Sequence, residues 1–202
     1  MQRDRRKAGV SGATAIDYGR FYNLESYLFE TVTQRFQEQG YLDAFDFFCI
    51  VIWKANRAKS RIASNILASD RLAEGGLGER ARRLTKTLSG MHTPKEKLRY
   101  LHDDLGFRLP MASAILTVLY PDEFTVYDVR VCSQLPDRER HRRLVHKLNF
   151  EKIWEGYLDF KRAVDNAAPN LPCLRDRDRY LWGMSFCEQL SRDIEHNFKK
   201  NQ

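Results

Sequence analysis

Residues 105 to 131 read Leu-Gly-Phe-Arg-Leu-Pro-Met-Ala-Ser-Ala-Ile-Leu-Thr-Val-Leu-Tyr-Pro-Asp-Glu-Phe-Thr-Val-Tyr-Asp-Val-Arg-Val. Gly106 to Leu109 forms a tight turn, since glycine accepts the positive φ that such a reversal needs. Pro110 suits the first turn of a helix, where its missing N–H leaves nothing unsatisfied. The apolar run behind it stops at Tyr120-Pro121-Asp122. One acid, Asp128, is left among apolar and aromatic neighbours, and as an N-cap it starts a further helix expected through Val131, Cys132 and Leu135.

Working outward, Thr93, Pro94 and Glu96 stand as N-cap, first and third residues of a helix that fills Lys95 to Leu105, close to a capping box. Near the start of the chain, Tyr27, Leu28, Val32 and Phe36 mark one helical face, and Gly40 ends it. Phe45 to Trp53 is apolar on nearly every side. Its β-branched and aromatic residues admit a buried strand, but helix-like sequence continues through Lys54-Ala55-Asn56-Arg57 and no other segment offers a partner strand. A central buried helix is therefore expected, with Lys54, Arg57 and Arg61 along one side at i, i+3 and i+7. Gly75-Gly76-Leu77-Gly78 is the clearest internal break, and a basic helix with Arg80, Arg82, Arg83 and Lys86 follows it.

Two helices close the chain. Ile153, Trp154, Tyr157, Leu158 and Val164 mark one that ends before Pro169; Tyr180, Met184, Cys187, Leu190 and Ile194 mark the apolar face of the other. The fold class is all-α. Residues 1–23, with Arg3, Arg5, Arg6 and Lys7, form a basic flexible N-terminal arm, and residues 24–202 form the folded domain.

The 202 residues are 43% hydrophobic and 12% aromatic, enough for a buried core. A net charge of +7 favours polyanionic partners, because each cation placed on a phosphate releases counterions. The longest apolar run, Phe47 to Trp53, is far too short to span a bilayer, and the basic N-terminus lacks the apolar segment of a secretory signal. A cytoplasmic protein with no membrane partner is expected. Cys49, Cys132, Cys173 and Cys187 form no Cys-x-x-Cys pair, which argues against zinc, and three of the four read as buried small hydrophobes. His92, His102, His141, His146 and His196 share no metal-ligand spacing and read as surface or loop residues.

A helix, a four-residue turn and a second helix start aim successive backbone N–H groups at one phosphate. With Gly106 in the turn, Met111-Ala112-Ser113-Ala114-Ile115-Leu116 behind it and then Phe124-Thr125-Val126-Tyr127-Asp128-Val129-Arg130-Val131, the chain resembles the helix–hairpin–helix DNA glycosylase superfamily (endonuclease III and 8-oxoguanine glycosylase-like), with the hairpin at about 94–120. Arg108 stands where that family has a second glycine, and Tyr127 is one extra residue between Val126 and Asp128. The resemblance implies a two-lobed helical bundle with a cleft and double-stranded DNA as partner. It makes Asp128 the catalytic carboxylate that stabilises an oxocarbenium-like sugar. Bifunctional members carry a Schiff-base lysine where Pro110 stands here, so the resemblance implies a monofunctional enzyme that hydrolytically releases a modified or mismatched base. Lys54 is the one other lysine that would replace the nucleophile.

Asn56 is similar in position to the family residue that fills the gap left by an extruded base. Arg57, Arg61, Gly106, Arg108, Pro110 and Arg130 then serve the DNA, and Trp53 and Tyr127 the base pocket. No metal and no cofactor are implied, a structural monovalent cation at the hairpin excepted, and the scattered cysteines argue against the iron–sulfur motif of some members. A monomer, nucleoid-associated if bacterial, is the expectation. The alternative is a non-catalytic helix–hairpin–helix DNA-binding protein. Leu174 to Trp182 resembles the closing helix of other chains with a degenerate hairpin; read from its residues alone, it is a run of local ion pairs.

Overall fold

In the computed structural model, which describes residues 17–72, 74–146 and 149–197, every regular element is helical. α1 (Leu24–Ser26) passes through a π-helical turn, Tyr27–Val32, into α2 (Thr33–Gln39), giving the rod expected up to Gly40. Gly40 closes it at φ 72° and donates its N–H to the Phe36 carbonyl. Asp43 then caps α3 (Ala44–Ala55) by accepting the Asp46 N–H. Phe47, Ile50 and Val51 on α3 are fully buried, so the apolar segment is the central helix rather than a strand.

That helix does not run on through Arg57. Ala55 leaves helical geometry at φ −163°, ψ 88°, and a 3-10 turn, Asn56–Ala58, redirects the chain into α4 (Lys59–Ala68). The redirected helix turns Ile62 and Ile66 into the core. Lys54 and Arg61 therefore sit on different helices and not along one side.

α5 (Leu77–Ser89) begins at the glycine break. α6 (Pro94–Arg99) carries the complete capping box, with Thr93 and Glu96 each accepting the other's backbone N–H, and continues as a π-helical turn, Tyr100–Asp104. Gly106 at φ 65° reverses the chain while the Phe107 N–H reaches back to the Leu101 carbonyl at 2.9 Å. α7 (Leu109–Leu119) follows, and every residue from Met111 to Leu119 is buried. α8 (Val129–Cys132) is a single turn that stops short of the expected Leu135; at its end Ser133 donates its hydroxyl to the Val129 carbonyl. α9 (Arg138–Arg142), α10 (Phe150–Ala167) and α11 (Leu174–Arg192) complete the order.

One cluster of buried apolar side chains extends from Tyr27 to Leu181. Several expectations need correction against it. On α11 the buried residues are Asp178, Leu181 and Ser185; of the expected face Met184 packs on the core, but Tyr180 and Leu190 are 56% and 40% exposed, as is Ile194 at 55% in the π-helical turn (Asp193–Asn197) that follows. Cys49 and Cys132 are buried but Cys173 and Cys187 are exposed, so two cysteines rather than three act as core hydrophobes. His141 is buried, its ring edge-on to Phe160 at 6.0 Å, and is not a surface residue. Residues 1–16 of the expected arm lie outside the described residues. From Asp17 the chain is already folded, in a 3-10 turn (Tyr18–Phe21) whose Phe21 ring lies 4.8 Å from that of Tyr27. Among the described residues no helix is long and apolar enough to cross a membrane.

Candidate functional site

Between α7 and α8 the chain runs extended through Phe124, Thr125, Val126 and Tyr127, all buried. A buried backbone with no ladder partner must find its hydrogen bonds elsewhere, and here side chains supply them. Tyr157 Oη accepts the Thr125 N–H at 3.0 Å and donates to the Thr125 carbonyl at 2.8 Å. Asp178 Oδ2 accepts the Val126 N–H at 3.1 Å and the Thr125 hydroxyl at 2.8 Å. Ser113 Oγ, on α7, accepts the Tyr127 N–H at 2.9 Å. Three helices thus grip the segment that delivers Asp128.

Asp128 is where this segment reaches solvent. One carboxylate oxygen accepts the Arg130 N–H at 2.9 Å, which caps α8. The other meets Lys54 Nζ at 2.7 Å, and Lys54 also donates to the Tyr127 carbonyl at 3.3 Å. The side chains are 13% exposed for Lys54 and 24% for Asp128. Both face a cavity of about 540 Å³ whose wall includes Trp53, Arg130, Arg175, Asp178 and Trp182. That volume lies within the ordinary range for small-molecule sites.

The cavity wall itself carries a charged lattice. Arg175 pairs with Asp178 and, at 2.7 Å, with Glu25, and its guanidinium lies 5.1 Å from the Trp53 ring centroid and 5.2 Å from that of Phe29. Burial pushes the Asp178 carboxyl above the usual carboxylate range, against the opposing pull of Arg175. Arg177 pairs with Asp165, and Arg179 lies 3.2 Å from Glu25. The arginines of the Leu174–Trp182 stretch are thereby engaged in ion pairs.

The residues singled out in the sequence separate into three places. Trp53, Lys54, Asp128 and Arg130 share the cavity. Asn56, Arg57 and Arg61 are exposed on the 3-10 turn and α4, outside the cavity wall, with Asn56 accepting from Lys59 Nζ at 3.0 Å. Gly106, Arg108 and Pro110 form the turn into α7. Asn65 of α4, one helical turn beyond Arg61, joins the last two groups by donating to the Leu105 carbonyl at 3.1 Å and the Gly106 carbonyl at 3.3 Å. Arg57, Arg61 and Arg108 have no acidic partner among the described residues.

One expectation is corrected by this geometry. Tyr127 is no pocket wall: its side chain is fully buried, its hydroxyl donates to the His141 carbonyl at 2.6 Å, and burial raises its pKa strongly. The extra residue between Val126 and Asp128 is a core anchor. At the turn into α7 the Leu105 and Gly106 carbonyls each accept from Asn65. No group of three or more His, Cys, Asp or Glu arranged for a metal occurs among the described residues.

Reading the sequence missed Ser113, Asn65, Tyr157 and Glu25. Their contacts join residues far apart in the chain, and no local pattern signals them. No protein-family model, curated protein or solved structure matches this chain.

Proposed function

We propose that the protein binds DNA through the α4 and Gly106 surface and hydrolyses the N-glycosidic bond of an extruded modified or mismatched nucleotide, as a monofunctional glycosylase of two-lobed helix–hairpin–helix type. The observation that carries this reading is Asp128, held with Lys54 at 2.7 Å on the wall of an aromatic-lined cavity. Arg57, Arg61 and Arg108 meet phosphates, and Asn56 fills the gap in the duplex. As the C1′–N bond breaks, its electron pair leaves with the base, which takes a proton. The sugar becomes oxocarbenium-like, and the Asp128 carboxylate stabilises that charge. Water adds at C1′ and gives its proton to Asp128. Lys54 orients the carboxylate through their 2.7 Å contact.

A panel of duplexes with damaged, modified or mismatched bases tests the reading, scored for alkali-labile abasic sites. Wild type is expected to generate them on at least one member, and Asp128→Asn to do so roughly 100- to 1000-fold more slowly. Borohydride added during turnover is expected to leave no covalent protein–DNA adduct, and an adduct lost in Lys54→Met would assign the lysine as nucleophile instead. One observation favours a second reading, a non-catalytic DNA-binding protein: both Asp128 oxygens already have partners, in Arg130 and Lys54. DNA binding with no abasic product across the panel would select it.

A further inference from the structure

The apolar stripe that α11 turns to solvent is not uniform. Trp182 and Phe186 lie one turn apart, 42% and 43% exposed, with ring centroids 5.7 Å apart and planes within 6° of parallel. The Arg130 guanidinium lies over both rings, 5.4 and 5.9 Å from their centroids, and donates to Gln189 Oε1 at 2.9 Å. Trp182 and Arg130 also belong to the cavity wall beside Asp128. Arg175 and Arg179 precede Trp182 by seven and three residues, so they continue the same helical face towards the cavity. The core does not require these rings, because Leu181 and Ser185 make the buried contact of this part of the helix.

Partly exposed aromatic rings with a guanidinium laid over them are the chemistry that stacks nucleobases while holding the adjoining phosphates. A second copy of the chain fits this face poorly. In a two-fold interface the patch meets itself, which would set Arg130 and Arg179 of one copy against the same cations of the other. We infer that Trp182, Phe186 and Arg130 form a platform that stacks an unpaired nucleobase at the mouth of the cavity, so that DNA with an unpaired base is preferred over fully paired duplex. This rests on the DNA-binding reading above and names the form of DNA that the site takes.

The test compares the full chain on three fluorescent oligonucleotides by anisotropy: a paired duplex, the same duplex with one bulged nucleotide, and a single-stranded thymidine oligomer. Wild type is expected to bind the bulged and single-stranded forms roughly tenfold more tightly than the duplex. Phe186→Ala, outside the cavity wall, should weaken that preference while keeping duplex affinity within about twofold; Trp182→Ala with Phe186→Ala should lose the preference, and Trp182→Phe should keep it. Helical circular dichroism of each variant shows whether α11 is intact, and Trp182→Phe carries the test alone if the double variant unfolds, since its loss of preference would count against stacking. Equal wild-type affinity for all three forms, or a preference unchanged in the double variant, overturns the platform and leaves DNA binding standing. Absence of binding to every oligonucleotide overturns both. Wild-type self-association that the double variant abolishes in sedimentation would make the patch a contact between copies and overturn the platform as well.

Discussion

Two carboxylates of one cavity wall, Asp128 and Asp178, have been given opposite tasks by their surroundings. Asp178 is 1% exposed, accepts from Thr125, Val126 and Arg175, and is spent on holding an extended backbone in place. Asp128 is a quarter exposed and keeps only a helix-capping N–H and one lysine. The difference teaches that an acid is free for chemistry when its structural duties can be met by a neutral isostere. An asparagine at position 128 still accepts the Arg130 N–H, whereas at position 178 it keeps an acceptor for Thr125 and Val126 but gives up the buried charge that pairs with Arg175.

The largest expected effect that would sharpen the comparison falls on stability. Asp178→Ala removes the acceptor for Val126 and Thr125 and one partner of Arg175, and should cost roughly 3 kcal/mol, the low end for a broken buried pair because Arg175 keeps Glu25. For a chain of this size that lowers Tm by about 6 to 12 °C, read by calorimetry. Asp128→Asn should move Tm by less than about 2 °C, since Asn caps helices about as well as Asp. Equal Tm losses in the two variants would break the distinction.

Next is Lys54→Met, which releases Asp128 from its orienting partner. Base release should fall roughly 10- to 100-fold, as expected for a catalytic group displaced by about an ångström. Smaller again are the exposed cations. Arg57→Ala, Arg61→Ala and Arg108→Ala should each weaken duplex binding and lower the slope of log affinity against log salt by roughly 0.9. A slope unmoved by all three would place the phosphates elsewhere.

The smallest effect concerns pH. Burial, with Arg140 next to it, holds the His141 imidazole below the usual histidine range. The unfolded chain then binds more protons than the folded one below about pH 6.5, so stability falls as pH drops through that region. Thermal melts from about pH 7.5 to about pH 5.5 should show this decline, and His141→Gln should flatten it.

What could be read from the sequence follows the range of the forces involved. The Thr93 capping box, the Gly40 and Gly106 reversals and the Asp128 cap are settled within a few residues, and each stands as expected. The break at Ala55 was hidden, because no glycine or proline marks it and the cause is burial of Ile62 and Ile66 further on. The inward face of α11 was misread for a similar reason. Apolar periodicity points to Tyr180, Leu190 and Ile194, but the helix is oriented by Asp178, whose partners Thr125 and Val126 are far away in sequence. At the site, Asp128, Lys54, Trp53 and Arg130 were individually visible as residues of interest, while their meeting with the α11 arginines depended on that hidden orientation.

The most direct test is single-turnover base release from the best substrate of the duplex panel, measured side by side for wild type, Asp128→Asn and Asp178→Asn. Asp128→Asn is expected to bind DNA and melt like wild type but to release base roughly 100- to 1000-fold more slowly, while Asp178→Asn, which keeps an acceptor for Thr125 and Val126, should release base within about tenfold of wild type at a lowered Tm. Wild-type release rates in Asp128→Asn would contradict a catalytic role for Asp128.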